Sequence, residues 1–317
     1  MLITLKDAAT RIKSANKILI TAHVQPDGDA IGSTLAAMQI LRSIGKSAQV
    51  FIDDTVRKNL HALPHFEEIR RPIDGETFDA DLLLILDTSP DRIGNVRKLT
   101  DAPILNVDHH VTNKGEDVEL YVEPSAAATC EIVYKLAREL DADITPDIAT
   151  CLYTGLATDT GFFQFSNTRA ATLAIASELI TCGVSPHFIS EQLEKKSLAE
   201  VCGLRDALNS LKIFCDGKVA GMFLDLASMQ KLNSTGGDST EGFIDLIRVI
   251  DTVDVAFLIS EKAPNFCRVS MRSKGVDVSK IAAKLGGGGH IRAAGCTLKT
   301  TLADAEKILV DAISSAI

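Results

Sequence analysis

The chain has 317 residues, enough for two domains of ordinary size, and its 46% hydrophobic and 24% charged residues are the balance of a folded, soluble protein. No apolar stretch approaches the roughly 20 residues that cross a bilayer, so we expect no membrane association. The formal net charge of −9 argues against tight binding along a long duplex, which needs many Lys and Arg contacts to phosphates. A small anionic substrate, held by a few local cations or metal ions, is compatible with this charge.

The N-terminal residues and the cysteines both predict a cytoplasmic protein. Residues 1–13 (MLITLKDAATRIK) lack the unbroken apolar segment of a secretion signal and predict a short amphipathic helix from about Leu5. The seven cysteines are scattered, odd in number and contain no C-x-x-C pair, so neither a disulfide framework nor a zinc ribbon is indicated. We expect buried, unreactive thiols.

Strands alternate with helices over roughly the first 185 residues. Apolar runs predict strands at 17–22, 49–52, 81–87 and 103–107, and such continuous runs are typical of a parallel sheet covered on both faces. Helical periodicity runs from Ile31 to Ile44, with Gly45 just after the helix, and recurs at about 125–140, 146–157 and 168–182. This order predicts a doubly wound α/β domain with a mainly parallel sheet.

A smaller α+β domain is predicted after a charged helical connector at 186–210. Residues 211–224 (LKIFCDGKVAGMFL) give a hairpin signal across Asp216-Gly217. Further strands are predicted at about 253–260 and 266–272, helices at about 225–232, 242–250, 277–285 and 302–315, and a polar loop at 233–240. We therefore expect domains at 1–185 and 211–317, joined by the connector.

Acidic and histidine side chains recur where predicted strands end. His23, Asp27 and Asp29 follow the first strand, Asp87 ends the third, Asp108, His109 and His110 end the fourth, and Asp159 lies where a helix gives way to Gly161. In an open parallel sheet, ligands bind at the carboxyl ends of the strands. We therefore expect these side chains to converge on one site.

The types of donor atom predict a metal centre. Carboxylate oxygens and imidazole nitrogens suit hard or borderline cations, so we expect Mn²⁺, with Mg²⁺, Co²⁺ and Zn²⁺ as alternatives. Two His and at least four Asp exceed what one ion needs, which favours two ions about 3.5–4 Å apart. Asp87, alone at its strand end, is the candidate for a carboxylate that bridges both ions.

Each acidic group also has a purely structural explanation. Asp27-Gly28-Asp29 after Pro26 is equally typical of a turn with an N-cap for the next helix. Asp87 is explained as a capping residue, and Asp159 as part of a turn at a helix C-terminus. The Asp108-His109-His110 triplet is harder to explain in this way, because a strand end requires no paired imidazoles.

The C-terminal half carries a second candidate site. In LGGGGHIRAAG, residues 285–295, successive glycines allow backbone N–H groups to approach an anion or a base closely, and His290 and Arg292 add donors. Upstream, Arg268, Ser270 and Arg272 alternate with apolar residues and share one strand face. A flexible loop and a solvated strand face are the structural alternative. The arginines and His290 favour a phosphate-binding site.

Taken together, these motifs resemble the DHH phosphoesterase superfamily over nearly the whole chain. The matching segments, in order, are HVQPDGDAIGS, ILDTS, VDHH, GLATDTGFFQFSNT and the C-terminal GGGGHIRAAG. The two-domain length most resembles the nanoRNase/pAp-phosphatase group. That resemblance implies hydrolysis of very short oligoribonucleotides to mononucleotides, and of 3′-phosphoadenosine 5′-phosphate (pAp) to AMP.

The resemblance also implies a role for each site residue. One metal ion would be held by His23, Asp27 and Asp87, and the second by Asp29, Asp87, His109 and Asp159. His110 would face the substrate phosphate, and Asp108 would orient an imidazole. Substrate would be bound by Arg268, Arg272, Gly287, Gly288, Gly289 and His290.

Several alternatives stay open at the level of sequence. The same metal core would serve a phosphodiesterase of cyclic dinucleotides or of the linear dinucleotide pApA. A non-catalytic nucleotide- or RNA-binding module is a third possibility, although simple binding does not require the full Asp/His set. The expected partner is a short single-stranded RNA or a small nucleotide, and a homodimer is one of the assemblies left open.

Overall fold

The structure is a computed structural model, and it describes residues 1–115, 117–234, 240 and 242–317. The chain divides into two compact units, Met1–Lys195 and Lys196–Ile317. This division falls within the range predicted as a connector, whose residues form two separate helices rather than one. Each unit contains its own buried hydrophobic clusters.

The first unit is built on a five-stranded parallel sheet in the order β2-β1-β3-β4-β5. Its strands are β1 Lys17–Thr21, β2 Ser47–Val50, β3 Leu82–Leu86, β4 Ile104–Asp108 and β5 Glu119–Val122. Its helices are α1 Leu5–Ser14, α2 Gly28–Ser43, α3 Thr129–Glu139, α4 Pro146–Asp159, α5 Ala170–Thr181 and α6 Pro186–Glu194. The predicted parallel α/β fold class is confirmed. The strand order reverses beside β1, which is where ligands bind in such sheets.

The two faces of this sheet are covered differently. Ile18 and Ile20 of β1 belong to a large cluster that includes side chains of the long helices. Leu19, between them, belongs to a smaller cluster with Val96 of the short 3₁₀ turn Gly94–Lys98 and with Ile93, which directly precedes that turn. Both faces are therefore buried, which explains why the strand sequences are continuously apolar rather than alternating.

Helices α2 and α4 lie unusually close to each other because glycines face the contact. A Cβ added at Gly32 would lie 2.4 Å from the carbonyl oxygen of Cys151. One added at Gly155 would lie 2.2 Å from Cys130 Sγ and 2.6 Å from Asp29 Oδ1. The small residues therefore let α4 approach the residues that begin α2 and α3, where the candidate site residues lie.

The second unit contains a mixed six-stranded sheet in the order β10-β11-β9-β8-β7-β6, in which only β7 and β8 among these described neighbours are parallel. Its strands are β6 Lys212–Phe214, β7 Val219–Leu224, β8 Val255–Ala263, β9 Phe266–Ser273, β10 Gly288–His290 and β11 Ala293–Leu298. Its helices are α7 Leu198–Asn209, α8 Leu226–Ser234, α9 Phe243–Arg248, α10 Val278–Lys284 and α11 Leu302–Ser314. The predicted hairpin is present between β6 and β7.

Some sequence predictions in the second unit need adjustment. Two glycines of the run, Gly288 and Gly289, belong with His290 to a regular strand, since β10 pairs antiparallel with β11. Asn233 and Ser234, predicted to begin a polar loop, complete α8. The rest of that predicted loop, apart from residue 240, lies outside the described residues.

Within the described residues, no single helix is long and apolar enough to cross a bilayer. Helices α5 and α6 reach the length and apolar composition of a span only when they are taken together, and they are bent by 105° at their junction.

Candidate metal centre

The structure brings four of the predicted residues together at the carboxyl edge of the first sheet. His23 follows β1, Asp87 follows β3 and His109 follows β4. His23 Nε2 lies 3.6 Å from Asp87 Oδ2, and His109 Nε2 lies 3.5 Å from Asp87 Oδ1. Asp159, the last residue of α4, places its Oδ2 3.3 Å from His109 Nε2. Asp87 is 2% exposed, so these contacts occur away from bulk water.

The protonation of the two imidazoles is set by backbone carbonyls. His23 Nδ1 lies 2.9 Å from the carbonyl oxygen of Val24, and His109 Nδ1 lies 3.3 Å from that of Ala126. A carbonyl oxygen only accepts hydrogen bonds, so each Nδ1 carries a proton, and each Nε2 faces the carboxylates. Imidazole nitrogens and carboxylate oxygens that face one another form a set of donors suited to a cation.

Asp27 both caps a helix and faces the candidate metal site. Its Oδ1 accepts hydrogen bonds from the N–H groups of Asp29 and Ala30, both at 3.0 Å, and so caps α2. Its Oδ2 lies 3.9 Å from His23 Nε2. One oxygen therefore fixes the start of the helix, while the other faces the site.

Asp29 is held by a helix from a distant part of the chain. Its Oδ2 accepts from the N–H of Thr129 at 2.6 Å, and its Oδ1 accepts from the N–H of Cys130 at 2.9 Å. The N-cap residue of α3 is Ala128, whose methyl side chain cannot accept these bonds, so Asp29 caps α3 instead. Ligand atoms of Asp29, Asp87 and His109 all lie within 4.8 Å of one another.

Asp87 has a backbone conformation that few residues adopt. Its φ is +61°, in the left-handed region, which Asp tolerates better than most residues but at a cost of about 1–2 kcal/mol. The backbone N–H of Asp87 donates to the carbonyl oxygen of Val107 at 3.1 Å, and Thr129 Oγ1 donates to Asp87 Oδ1 at 3.0 Å. Thr129 was missed from sequence. Its position after three alanines, at a helix start with no local cap, was the available signal.

The crowding of carboxylates shifts their pKa values. Burial, together with the charges of Asp29 and Asp27, raises the pKa of Asp87 well above its usual range. Burial and the same two charges raise the pKa of Asp159 in the same way. Burial opposes the ionisation of Asp27, but the His23 imidazole and a backbone N–H outweigh it and lower its pKa. A bound cation would relieve the repulsion among these groups.

Asp108 has a different role, because its oxygens are taken up by neighbouring donors. Oδ1 accepts from the N–H of His109 at 2.7 Å, from the N–H of His110 at 3.1 Å and from His110 Nδ1 at 2.7 Å. Oδ2 accepts from Asn113 Nδ2 at 2.7 Å. Burial alone would lower the pKa of His110, but the hydrogen bond and charge of Asp108 outweigh it and raise that pKa. Asn113 was also missed from sequence.

In the second unit the predicted strand face is present. Along β9, Arg268, Ser270 and Arg272 alternate with the buried side chains of Cys267, Val269 and Met271. The neighbouring strand β11 places Thr297 opposite Arg268 and Ala293 opposite Arg272. Burial lowers the pKa of the Arg272 guanidinium.

The glycines of the predicted substrate site have unequal structural roles. A Cβ at Gly287 would lie 2.1 Å from the carbonyl oxygen of Gly295, and one at Gly289 would lie 2.6 Å from that of Ala293. Gly289 also has a φ of +138°. By contrast, a Cβ at Gly288 would meet no described atom within 4 Å. Packing therefore explains Gly287 and Gly289, whereas Gly288 and His290 are exposed on an edge strand.

A parallel α/β unit with clustered carboxylates and imidazoles, followed by a mixed-sheet unit, defines a class of metal-dependent hydrolases. Residues 17–156 match the model of the DHH family, N-terminal domain, and residues 227–317 match the DHHA1 domain. The bifunctional oligoribonuclease and PAP phosphatase NrnA of Thermus thermophilus is 33% identical over 89% of this chain and 84% of its own length. The chain belongs to the DHH family, whose phosphoesterases are metal-dependent.

Other relatives cover similar parts of the chain. The NrnA of Bacillus subtilis is 28% identical over 93% of both chains. The cyclic-di-AMP phosphodiesterase PdeA of Listeria monocytogenes is 27% identical over 96% of this chain, which spans about half of that longer protein. The crystal structure of an exopolyphosphatase-related protein from Bacteroides fragilis has a TM-score of 0.89 and 26% identity, and covers 98% of this chain and 95% of that one.

Proposed function

We propose that this protein is a metal-dependent phosphoesterase that hydrolyses short oligoribonucleotides to mononucleotides and pAp to AMP. The observation that carries the proposal is the position of Asp87, whose two oxygens each face the Nε2 of a different imidazole. The names of the NrnA relatives, which match over most of the chain, supply the substrate class.

The donor set fits two divalent ions. His23, Asp27 and Asp87 would hold one ion, and Asp29, Asp87, His109 and Asp159 would hold the other. Oxygen and imidazole donors favour Mn²⁺. When bound, such ions supply Lewis-acid chemistry, since they acidify water and neutralise charge on phosphate oxygens. Because a carboxylate binds metal in its ionised form, the raised pKa values of Asp87 and Asp159 predict metal affinity that increases with pH.

His110 would act on the leaving group. Asp108 holds the proton of His110 on Nδ1 and raises the pKa of the ring, which favours the doubly protonated imidazolium. Nε2 of that ring would donate its proton to the ribose oxygen as the phosphoester bond breaks. The negative charge of Asp108 stabilises the imidazolium before the transfer and fixes the orientation of the ring.

The second unit would bind the substrate. Arg268 and Arg272 share one face of β9, where their guanidinium groups suit bidentate contacts with phosphate. Gly288 and His290 are both exposed. Gly288 would let the substrate approach the backbone closely, and His290 would contribute an imidazole donor. A few local cations of this kind suit a short anionic substrate on a chain with a net charge of −9.

Hydrolysis of a dinucleotide and of pAp in the presence of Mn²⁺ tests the proposal. Asp87→Ala should reduce kcat by more than about 100-fold, the upper end for outer-shell partners of a metal, because it removes a carboxylate from both ion sites. Asp79→Ala is the matched control, since Asp79 is an exposed carboxylate of the same unit. Robust turnover by Asp87→Ala would contradict the proposal.

A second candidate substrate class is favoured by the similarity to PdeA, whose name specifies cyclic-di-AMP. A panel of pAp, pApA, cyclic-di-AMP and a series of very short RNAs separates the two candidates by their kcat/KM values. The proposal predicts the highest values for pAp and the short RNAs. Tight binding of the panel without turnover of any member would instead indicate a nucleotide-binding module.

A further inference from the structure

Thr129 contacts two of the carboxylates that the proposed centre requires. Its backbone N–H donates to Asp29 Oδ2 at 2.6 Å, and its hydroxyl donates to Asp87 Oδ1 at 3.0 Å. The residue is fully buried, at 0% exposure. A single residue therefore ties Asp29, from the start of α2, to Asp87, from the end of β3.

The Thr129 hydroxyl bonds to the oxygen of Asp87 that faces His109. Oδ1, the oxygen bonded to Thr129, is the one that lies 3.5 Å from His109 Nε2, and Oδ2 lies 3.6 Å from His23 Nε2. A carboxylate turns readily about its last side-chain torsion, whose energy profile is broad. A charge-assisted hydrogen bond on one oxygen restricts that rotation.

The first turn of α3 provides a rigid support for this contact. Asp29 accepts from two successive backbone N–H groups, those of Thr129 and Cys130, and so fixes the helix start against α2. These N–H bonds do not depend on the side chain at position 129. Replacing the side chain would therefore remove the contact with Asp87 and leave the contact with Asp29.

We propose that Thr129 is a positioning residue, whose hydroxyl holds Asp87 in the orientation that serves both ion sites. This inference rests on the proposed function, since it assigns Asp87 to metal ions. Loss of an outer-shell partner of a metal ligand typically costs about 10–100-fold in metal affinity or activity, and we expect Thr129→Val to fall in that range. Thr129→Ser keeps both donors and should restore most of the affinity.

Mn²⁺ titration by calorimetry tests the proposal without substrate. The comparison uses the wild type, Thr129→Val, Thr129→Ser and the control Thr34→Val, which alters another fully buried threonine of the same unit whose hydroxyl donates to helix carbonyls. We expect weaker Mn²⁺ binding for Thr129→Val alone. In dinucleotide hydrolysis, the same variant should lose kcat with little change in KM, because the hydroxyl does not contact substrate.

The outcomes are distinct. Wild-type affinity in Thr129→Val would overturn the role of Thr129, as would a Thr129→Ser variant that binds as weakly as Thr129→Val. If Thr129→Val does not fold, Thr129→Ala replaces it, and equal affinity of the Ala and Ser variants would overturn the proposal. A wild type that binds no Mn²⁺ would overturn the proposed function and this role with it.

Discussion

Nδ1 of His110 bonds to a buried carboxylate, whereas Nδ1 of His23 and Nδ1 of His109 each lie against a backbone carbonyl. Asp108, at 0% exposure, makes that bond and is itself held by Asn113. Asn113 also donates to the side chain of Asn106, so a chain of buried amides supports the carboxylate. This arrangement distinguishes His110, the proposed proton carrier, from His23 and His109, whose Nε2 atoms face carboxylates.

Asp108→Asn should change the pH dependence of catalysis. The substitution removes the charge that raises the pKa of His110, so the imidazolium should lose its proton at lower pH. If the imidazolium is the acid, the alkaline limb of the kcat–pH profile shifts to lower pH, by on the order of one unit, and kcat at neutral pH falls about 10-fold or more. An unchanged profile would contradict the acid role, and Asp79→Asn serves as the exposed control.

The polar residues that converge here were predictable only in part. His23, Asp87 and His109 could be predicted because continuous apolar runs define the strands that they follow. Thr129 and Asn113 could not, since a threonine among alanines and an asparagine after a strand have many ordinary explanations. Their importance comes from contacts with residues of other segments, such as Asp29 and Asp87, which no local pattern encodes.

At the level of elements, the approach of α4 to α2 and α3 decides where Asp29 lies. Gly155 leaves no room for a methyl group, because a Cβ there would lie 2.2 Å from Cys130 Sγ and 2.6 Å from Asp29 Oδ1. Helix α3 is correspondingly capped by Asp29 instead of by a residue of its own segment. Local sequence therefore predicts that α3 exists, but not what holds its first turn.

Gly155→Ala should damage both the fold and the metal site. Overpacking of this kind lowers the free energy of unfolding by about 1–3 kcal/mol. If Asp29 moves to make room for the new methyl group, Mn²⁺ binding should weaken as well. Gly275→Ala is the control, since a Cβ there would meet no described atom within 4 Å. Thermal unfolding with and without Mn²⁺ measures both effects, and wild-type values for Gly155→Ala would show that the helices can separate without consequence.

The glycine run of β10 allows structural and ligand-binding roles to be separated. Gly287→Ala would place a Cβ 2.1 Å from a backbone oxygen of β11 and should lower the unfolding temperature. Gly288→Ala should leave that temperature unchanged, because its Cβ would point into open space. If backbone at Gly288 approaches substrate, Gly288→Ala should nevertheless raise KM for a dinucleotide. Unchanged kinetics would remove Gly288 from the proposed substrate site.

The element pattern itself was largely predictable. Strands β1, β3 and β4 are largely buried apolar runs, and each of their bounds lies within one residue of the predicted one. Strand β5 was missed because it is short, half-buried and contains Glu119. Strand β10 was missed because glycine is depleted in strands, and here its pairing with β11 overrides that preference.

At the level of the whole molecule, two units with separate cores divide the proposed tasks. The carboxylates and imidazoles of the metal centre belong to Met1–Lys195, and the arginines and glycines proposed to bind substrate belong to Lys196–Ile317. The DHH match, residues 17–156, lies within the first unit, and the DHHA1 match, residues 227–317, lies within the second. The alternation of strands and helices predicted the α/β fold of the first unit, whereas the convergence of distant side chains emerges only from the folded chain.

In the proposed centre, Asp87 would be shared between two ions. Diffraction from a crystal soaked in Mn²⁺, recorded at the manganese absorption edge, tests it most directly. We expect two anomalous peaks per chain, one bounded by His23 and Asp87 and the other by His109 and Asp87. A single peak, or peaks that do not contact Asp87, would contradict this sharing.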